Sequence, residues 1–249
     1  MANRRDFFKV AAIGSAAILA QGCSSISQNS KTMKLKKQTK ILFQGDSITD
    51  GRRNRNSQGN PNDISGLGIW YPLQATGNLL VKYPQADLQI YNRGISGHGV
   101  KHLQDRWQAD CVDMKPDILS ILIGVNDFWH RAKADRGYFG TADSYDKGYD
   151  QLLAETVKAL PDTKLIICEP FILKTGAVND DWYPAFDGYR AAARKLAKKY
   201  NATFVPFQQM FDDACKLAEA KYWLYDGVHP SLAGSQLMAE KWMQTCFGC

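Results

Sequence analysis

Four short stretches hold side chains suited to acyl transfer. Ser47 lies in "ILFQGDSITDG" (41–51), where an apolar run breaks at Gly45-Asp46 and sets a hydroxyl at its tip. A serine at neutral pH is a poor nucleophile, so it needs a neighbouring base and the base needs an orienter. "DGVHPS" (226–231) supplies both. His229 is the candidate base, and Asp226 precedes it by three residues, so one tight turn can bring the carboxylate to imidazole Nδ1. There it would fix the tautomer and stabilise the imidazolium as the proton moves. The tetrahedral intermediate also needs donors aimed at its oxygen, each commonly worth about 3 kcal/mol of barrier. The Ser47 amide, the Gly97 amide in "NRGISGHG" (92–99) and the Asn126 side chain in "GVNDFW" (124–129) are the candidates, with Gly94 competing for the glycine role.

Taken singly, each residue has a plainer reading. Ser47 could cap a helix, Asn126 could cap a loop, Gly97 could ease a turn, and Asp226-x-x-His229 could be a polar helix start. Asp46 and Asp127 read as turn-formers beside reactive residues. His98 and His102 share an i, i+4 spacing that can grip a metal, but no acid or cysteine joins them in the same short motif. They read as a solvated helix face, and no metal or cofactor is expected. "GISGHG" lacks both the GxGxxG order and the following lysine of a phosphate loop.

The elements that must position these groups follow from the apolar runs at 40–45, 88–94, 117–124, 164–170 and 203–207. Helical spacing marks 70–82, 99–110, 142–160, 185–200, 207–220 and 231–245. Near-continuous apolar strands alternating with helices predict a parallel sheet covered on both faces, a three-layer α/β/α sandwich with five strands. In such sheets ligands bind beyond the carboxyl ends of the strands; three of the stretches follow strands and the fourth precedes the last helix, so all would converge on one rim. Long polar loops at 51–69 and 130–145 are of the kind that is functional or mobile.

With 249 residues and 45% apolar content, the chain can bury one good core. Its net charge of +6 is concentrated at the start: residues 1–40 carry eight Lys/Arg and one Asp, leaving 6 − 7 = −1 for residues 41–249. That body has no nucleic-acid footprint. Residues 1–23 read as an export signal. "NRRDFFKV" resembles a twin-arginine signal, Val10 to Ala20 has the length of a signal's apolar region, and "AQGCSS" resembles a lipoprotein processing site with Cys23 acylated. Residues 24–39, rich in Ser and Lys, suit a flexible tether, and residues 40–249 form the domain. Apart from Cys23, the five cysteines Cys111, Cys168, Cys215, Cys246 and Cys249 cannot all pair within one chain. Cys168 reads as a core thiol, while Cys215 or Cys246 could enter a disulfide.

"GDSITDG", "NRGISGHG", "GVNDFW" and "DGVHPS" resemble, in order and spacing, the blocks of the SGNH (GDSL-type) hydrolase superfamily across essentially all of residues 40–245. The resemblance implies a flavodoxin-like fold and a metal-independent esterase, lipase or carbohydrate deacetylase. By position it implies Ser47 as nucleophile, Gly97 and Asn126 as oxyanion donors, and Asp226 with His229 as the rest of the triad. Two positions depart from it: Ile48 stands where leucine is usual, and His98 where Asp is frequent. The chain argues against an α/β-hydrolase, the nearest competing class: no G-x-S-x-G surrounds Ser47, and acid and base sit together near the C-terminus.

The expectation is an exported serine ester hydrolase, at the surface or in the periplasm, touching membrane only through its anchor. Its expected substrate is a small-molecule or carbohydrate ester, with acetyl groups on carbohydrate favoured. Aromatic pairs near the motifs (Trp70 and Tyr71, Phe128 and Trp129, Trp182 and Tyr183, Trp223 and Tyr225) could stack on sugar rings. A lysophospholipase or short-chain lipid esterase is the alternative within the class, and a non-catalytic glycan-binding module the alternative outside it.

Overall fold

The five apolar runs are strands in the computed structural model, which describes residues 32–130 and 140–249. β1 (Lys40–Gly45), β2 (Gln89–Asn92), β3 (Ile118–Leu122), β4 (Lys164–Cys168) and β5 (Thr203–Val205) form one parallel sheet in the order β2-β1-β3-β4-β5. After β1 come α1 (Ser47–Asp50), α2 (Ile64–Leu67) and α3 (Tyr71–Lys82), and after β2 comes α4 (Val100–Trp107). β3 leads into α5 (Val125–Trp129) and α6 (Ala142–Ala159), and β4 into α7 (Asp187–Lys199). α8 (Phe207–Ala214), α9 (Ala220–Trp223) and α10 (Leu232–Phe247) follow β5.

The central strands are buried on both faces, which is why their sequences run apolar without alternation. Every residue of β3, and every residue of β1 after Lys40, is buried. α3 and α10 pack together as one covering layer, and α4, α6 and α7 form the other. Trp242 of α10 joins its layer to the sheet: its ring lies 5.1 Å from Phe43, and its Nε1 donates to Ser120 Oγ at 3.0 Å. In the other layer Trp107 Nε1 donates to Thr156 Oγ1 at 2.9 Å, fixing α4 on α6. This is the three-layer, flavodoxin-like sandwich the sequence predicts. Its strand order reverses between β1 and β3, so a crevice opens at their carboxyl ends.

The differences lie at element ends. β2, β3 and β4 stop short of the apolar runs at 88–94, 117–124 and 164–170, because the last residues of those runs bend into the loops of the rim. The helix expected over 207–220 is two, α8 and α9, separated by a turn in which Leu217 and Ala218 N–H both return to Ala214 O. The loop 51–69 is folded rather than open: Arg53 is buried and α2 lies within it. Of the expected tether, the structure describes residues 32–39, and they lie on the domain. Met33 N–H donates to Cys246 O at 2.9 Å, Gln38 N–H to Ala86 O at 2.7 Å, and Met33 and Leu35 pack against the core. The signal, Cys23 and residues 131–139 lie outside the described residues. The five other cysteines are free thiols, with Cys168 buried beside Ser120.

Candidate active site

Ser47 is placed by the abrupt end of β1. Gly45 is pressed against β3 so closely that a Cβ there would fall 2.3 Å from Leu122 O. The chain then turns at once into α1, whose start is capped by Asp46: Oδ1 accepts Ile48 N–H at 3.0 Å, and the Asp46 carbonyl accepts Thr49 and Asp50 N–H. Ser47 N–H, one residue into the helix, has no hydrogen-bond partner among the described residues.

The loop after β2 is held against α1 by paired backbone groups. Ile95 N–H donates to Gly45 O at 3.0 Å, and Ser96 N–H to Asp50 Oδ2 at 2.9 Å. Asn92 accepts Gly94 N–H and donates to Thr49 O and Leu67 O, while buried Arg53 donates through Nε to Gly94 O. Gly97 adopts φ +81°, a conformation that side chains disfavour, and its N–H also has no partner among the described residues. Asn126, in the short helix α5, donates one Nδ2 proton to His98 O at 3.0 Å and keeps the second. Three unspent N–H groups thus stand on segments stitched to the serine's own helix.

The third side of the site is one turn. Asp226 Oδ1 accepts Val228 N–H (3.0 Å) and His229 N–H (2.7 Å), and Oδ2 lies 2.6 Å from His229 Nδ1. Gly227 takes φ +90°, and its carbonyl accepts Leu173 N–H at 2.9 Å, anchoring the turn beyond β4. His229 Nε2 lies 2.8 Å from Ser47 Oγ. With Nδ1–H committed to a carboxylate, Nε2 is free to accept the serine proton. Partial burial pushes the Asp226 carboxyl up, but the hydrogen bonds from His229 and from the turn's own amides outweigh it and hold the group below its ordinary value. Asp226 is therefore the ionised partner that a charging imidazole needs. The arrangement can move a proton from a hydroxyl to an imidazole while a fixed anion stabilises the result.

Asp46, adjacent to Ser47, is the opposite kind of acid. It is fully buried, its Oδ2 lacks a partner among the described residues, and burial pushes its pKa up to about 7 against the pull of Ile48 N–H and His229. Asp46 forms a turn, as expected, whereas Asp127 lies inside α5 and its carboxylate instead accepts Val100 N–H at the start of α4, 27 residues away. The pairing of His98 and His102 departs from expectation. They are not a solvated helix face: their rings lie 4.8 Å apart, His98 precedes α4, and His102 Nδ1 accepts Gly99 N–H as a helix cap. No group of three metal-ligating side chains occurs among the described residues. Of the aromatic pairs, Phe128, Trp182 and Tyr71 are core. Three others surround the imidazole: Tyr225 stacks on His229 at 5.9 Å, with Trp70 at 5.6 Å and Trp129 at 6.2 Å. Sequence reasoning missed the bracing residues Asp50, Arg53, Asn92 and Arg106. Their only signal was polar and charged side chains in stretches bound for burial.

Residues 43–237 match the model of the GDSL-like lipase/acylhydrolase family. The chain is 32% identical over 218 residues to an acetylxylan esterase from Geobacillus stearothermophilus, covering 85% of this chain and 95% of that one. A crystal structure of that esterase superposes with a TM-score of 0.76, covering 86% of this chain and 96% of the other. The structure of a protein described as a GDSL-like lipase from Parabacteroides merdae superposes with a TM-score of 0.83 at 49% identity, covering 86% of this chain and 98% of that one. The G. stearothermophilus esterase has also been solved with a serine, an aspartate or a histidine replaced, each described as a catalytic mutant. With the family's match spanning most of its length, this chain belongs to the GDSL-like lipase/acylhydrolases of the SGNH superfamily and is a carboxylic ester hydrolase.

Proposed function

We propose that the protein removes acetyl or other short acyl groups from carbohydrate through an acyl-enzyme on Ser47, and that it works outside the cytoplasm. The observation that carries the reading is the unbroken line from Ser47 Oγ to His229 Nε2 (2.8 Å) and from His229 Nδ1 to Asp226 Oδ2 (2.6 Å). Ser47 Oγ attacks the ester carbonyl as its proton passes to Nε2, and the imidazolium is stabilised by the ionised Asp226. The oxyanion is met by the N–H groups of Ser47 and Gly97 and by the remaining Nδ2 proton of Asn126. The imidazolium returns its proton to the departing sugar hydroxyl, and water then repeats the sequence in reverse to release the acid. Trp70, Trp129 and Tyr225 flank the imidazole and supply apolar faces for a sugar ring.

The acetyl-carbohydrate substrate is supported by the acetylxylan esterase relative and by these rings. Export rests on the twin-arginine-like residues 1–23 and on Cys23 as the acylated residue of a surface lipoprotein.

The test is labelling of the full chain with a fluorophosphonate, beside Ser47→Ala, with the adduct mapped by mass spectrometry. Labelling at Ser47 alone is expected, followed by acetate release from acetylated xylooligosaccharides in preference to lysophospholipid. A folded protein that stays unlabelled would overturn the catalytic reading and favour glycan binding without turnover. A labelled one that prefers lysophospholipid would overturn only the substrate.

A further inference from the structure

We infer that His98, held as a neutral acceptor by Arg106, positions the oxyanion-binding groups of this site. The guanidinium of Arg106 touches two of the three segments that carry the donors and reaches the third through His98. Nη2 lies 3.4 Å from the carbonyl of Gly45, two residues before Ser47. Nη1 donates to Arg93 O at 2.8 Å, at the root of the loop that bears Gly97. Nε donates to His98 Nδ1 at 3.3 Å, and the His98 carbonyl in turn accepts Asn126 Nδ2 at 3.0 Å. Asp110 holds the guanidinium from behind through Nη1 at 2.8 Å. One planar cation therefore fixes the end of β1, the loop after β2 and, through His98, the carboxamide of α5.

A histidine can fill this place only as a base without its extra proton. Nδ1 must offer its lone pair to Arg106, which leaves the ring proton on Nε2. The surroundings enforce that state: burial, then the charge of Arg106 and the neighbouring His102, lower the pKa of His98 to about 4. Where the SGNH resemblance leads one to expect an aspartate at this position, the same arginine would meet a carboxylate. Here a neutral ring takes that role, and Asp110 is the carboxylate that pairs with the guanidinium.

The inference rests on the proposed oxyanion hole, and the test separates the two. Wild type, His98→Ala, His98→Asp and Arg106→Lys are compared on p-nitrophenyl acetate and for inhibition by an aliphatic trifluoromethyl ketone, which adds to Ser47 Oγ as a hemiketal anion. Removing an oxyanion donor outright costs about 10²–10³ in kcat. Loosening its support should cost about 10-fold in His98→Ala. kcat and kcat/KM should fall together, KM should stay within about two-fold, and the ketone's Ki should rise in step with the loss of kcat. His98→Asp, which restores an acceptor to Arg106, should recover most of the loss, and thermal unfolding should place wild type, His98→Ala and His98→Asp close together. Wild-type kcat in His98→Ala, or no recovery in His98→Asp, would overturn the inference while Ser47 labelling still stood. Should Arg106→Lys fail to fold, the His98 series decides alone.

Discussion

The two halves of the active site are held by different means. Asp226 and His229 are three residues apart, and the carboxylate is satisfied by two amides and the imidazole of its own turn. Ser47 and the proposed oxyanion donors are instead spread over three segments of the chain. Their geometry depends on contacts between residues far apart in sequence: Arg53 to Gly94, Asp50 to Ser96, Asn92 to Thr49 and Leu67, Arg106 to Gly45 and Arg93. One half is a local turn that builds its own electrostatics, and the other is an assembly of strand ends. Substitutions in the first half should change chemistry with the fold intact, whereas those in the second that force its backbone segments apart should change chemistry and stability together.

The sharpest break in that contrast is Asp226→Asn. The amide oxygen can still accept the turn's N–H groups, but its NH2 would face His229 Nδ1 and turn the proton onto Nε2. The imidazole could then no longer accept from Ser47. In the general Ser-His-Asp scheme this exchange drops kcat by about 10⁴, and the same scale is expected here. The thermal midpoint should hardly move, as kinetics beside calorimetry would show.

Asp46→Asn tests the other half. The folded pKa of Asp46 is raised from 3.8 to about 7 by burial. Its contribution to stability is thus fully present below about pH 4 and is lost as pH rises towards 7, because the unfolded chain releases the proton first. A displacement of that size is worth on the order of 4 kcal/mol. The asparagine cannot titrate, so the stability of the variant relative to wild type should rise across this window and level off above it. Denaturant titrations at several pH values read the slope, which is independent of any constant cost of placing an amide there. An unchanged slope would mean that Asp46 ionises normally despite its burial.

The same division decides what could be read from the sequence. The turn at Asp226–His229 was legible because its partners lie within three residues, and the strands because burial on both faces leaves unbroken apolar runs. Ser47, Gly97 and Asn126 were legible only as members of blocks in order. The short helices α1 and α5 that carry Ser47 and Asn126 have too few residues for an apolar period, and Gly97 lies in a loop. Arg53, Asn92 and Arg106 were not legible as braces, because each acts on backbone carbonyls whose proximity exists only after the strands pair. His98 and His102 were misread for a related reason: the i, i+4 spacing presumes one helix, and the helix begins only at Val100. Met33 and Leu35 look like tether in the sequence because the core they pack against is built from distant parts of the chain, with Met33 bonding Cys246 O in α10.

The smallest expected effect comes from a single methyl group. At Gly94 a Cβ would fall 2.4 Å from Asp50 N and 2.8 Å from Thr49 C, backbone atoms of the helix that carries Ser47. Gly94→Ala must therefore push the loop and α1 apart, and overpacking of this kind costs about 1–3 kcal/mol. At about 2–4 °C per kcal/mol for a chain of this size, the thermal midpoint should fall by several degrees. Because the displaced loop bears Gly97, kcat should fall with it. Gly77→Ala in α3 is the control. A Cβ there meets nothing within 4 Å, and in a helix interior alanine is favoured over glycine by up to about 1 kcal/mol. That variant should gain stability and keep full activity. If Gly94→Ala lost stability but kept kcat, the loop would be braced for the fold alone, and the distinction between the two halves of the site would fail on the nucleophile's side.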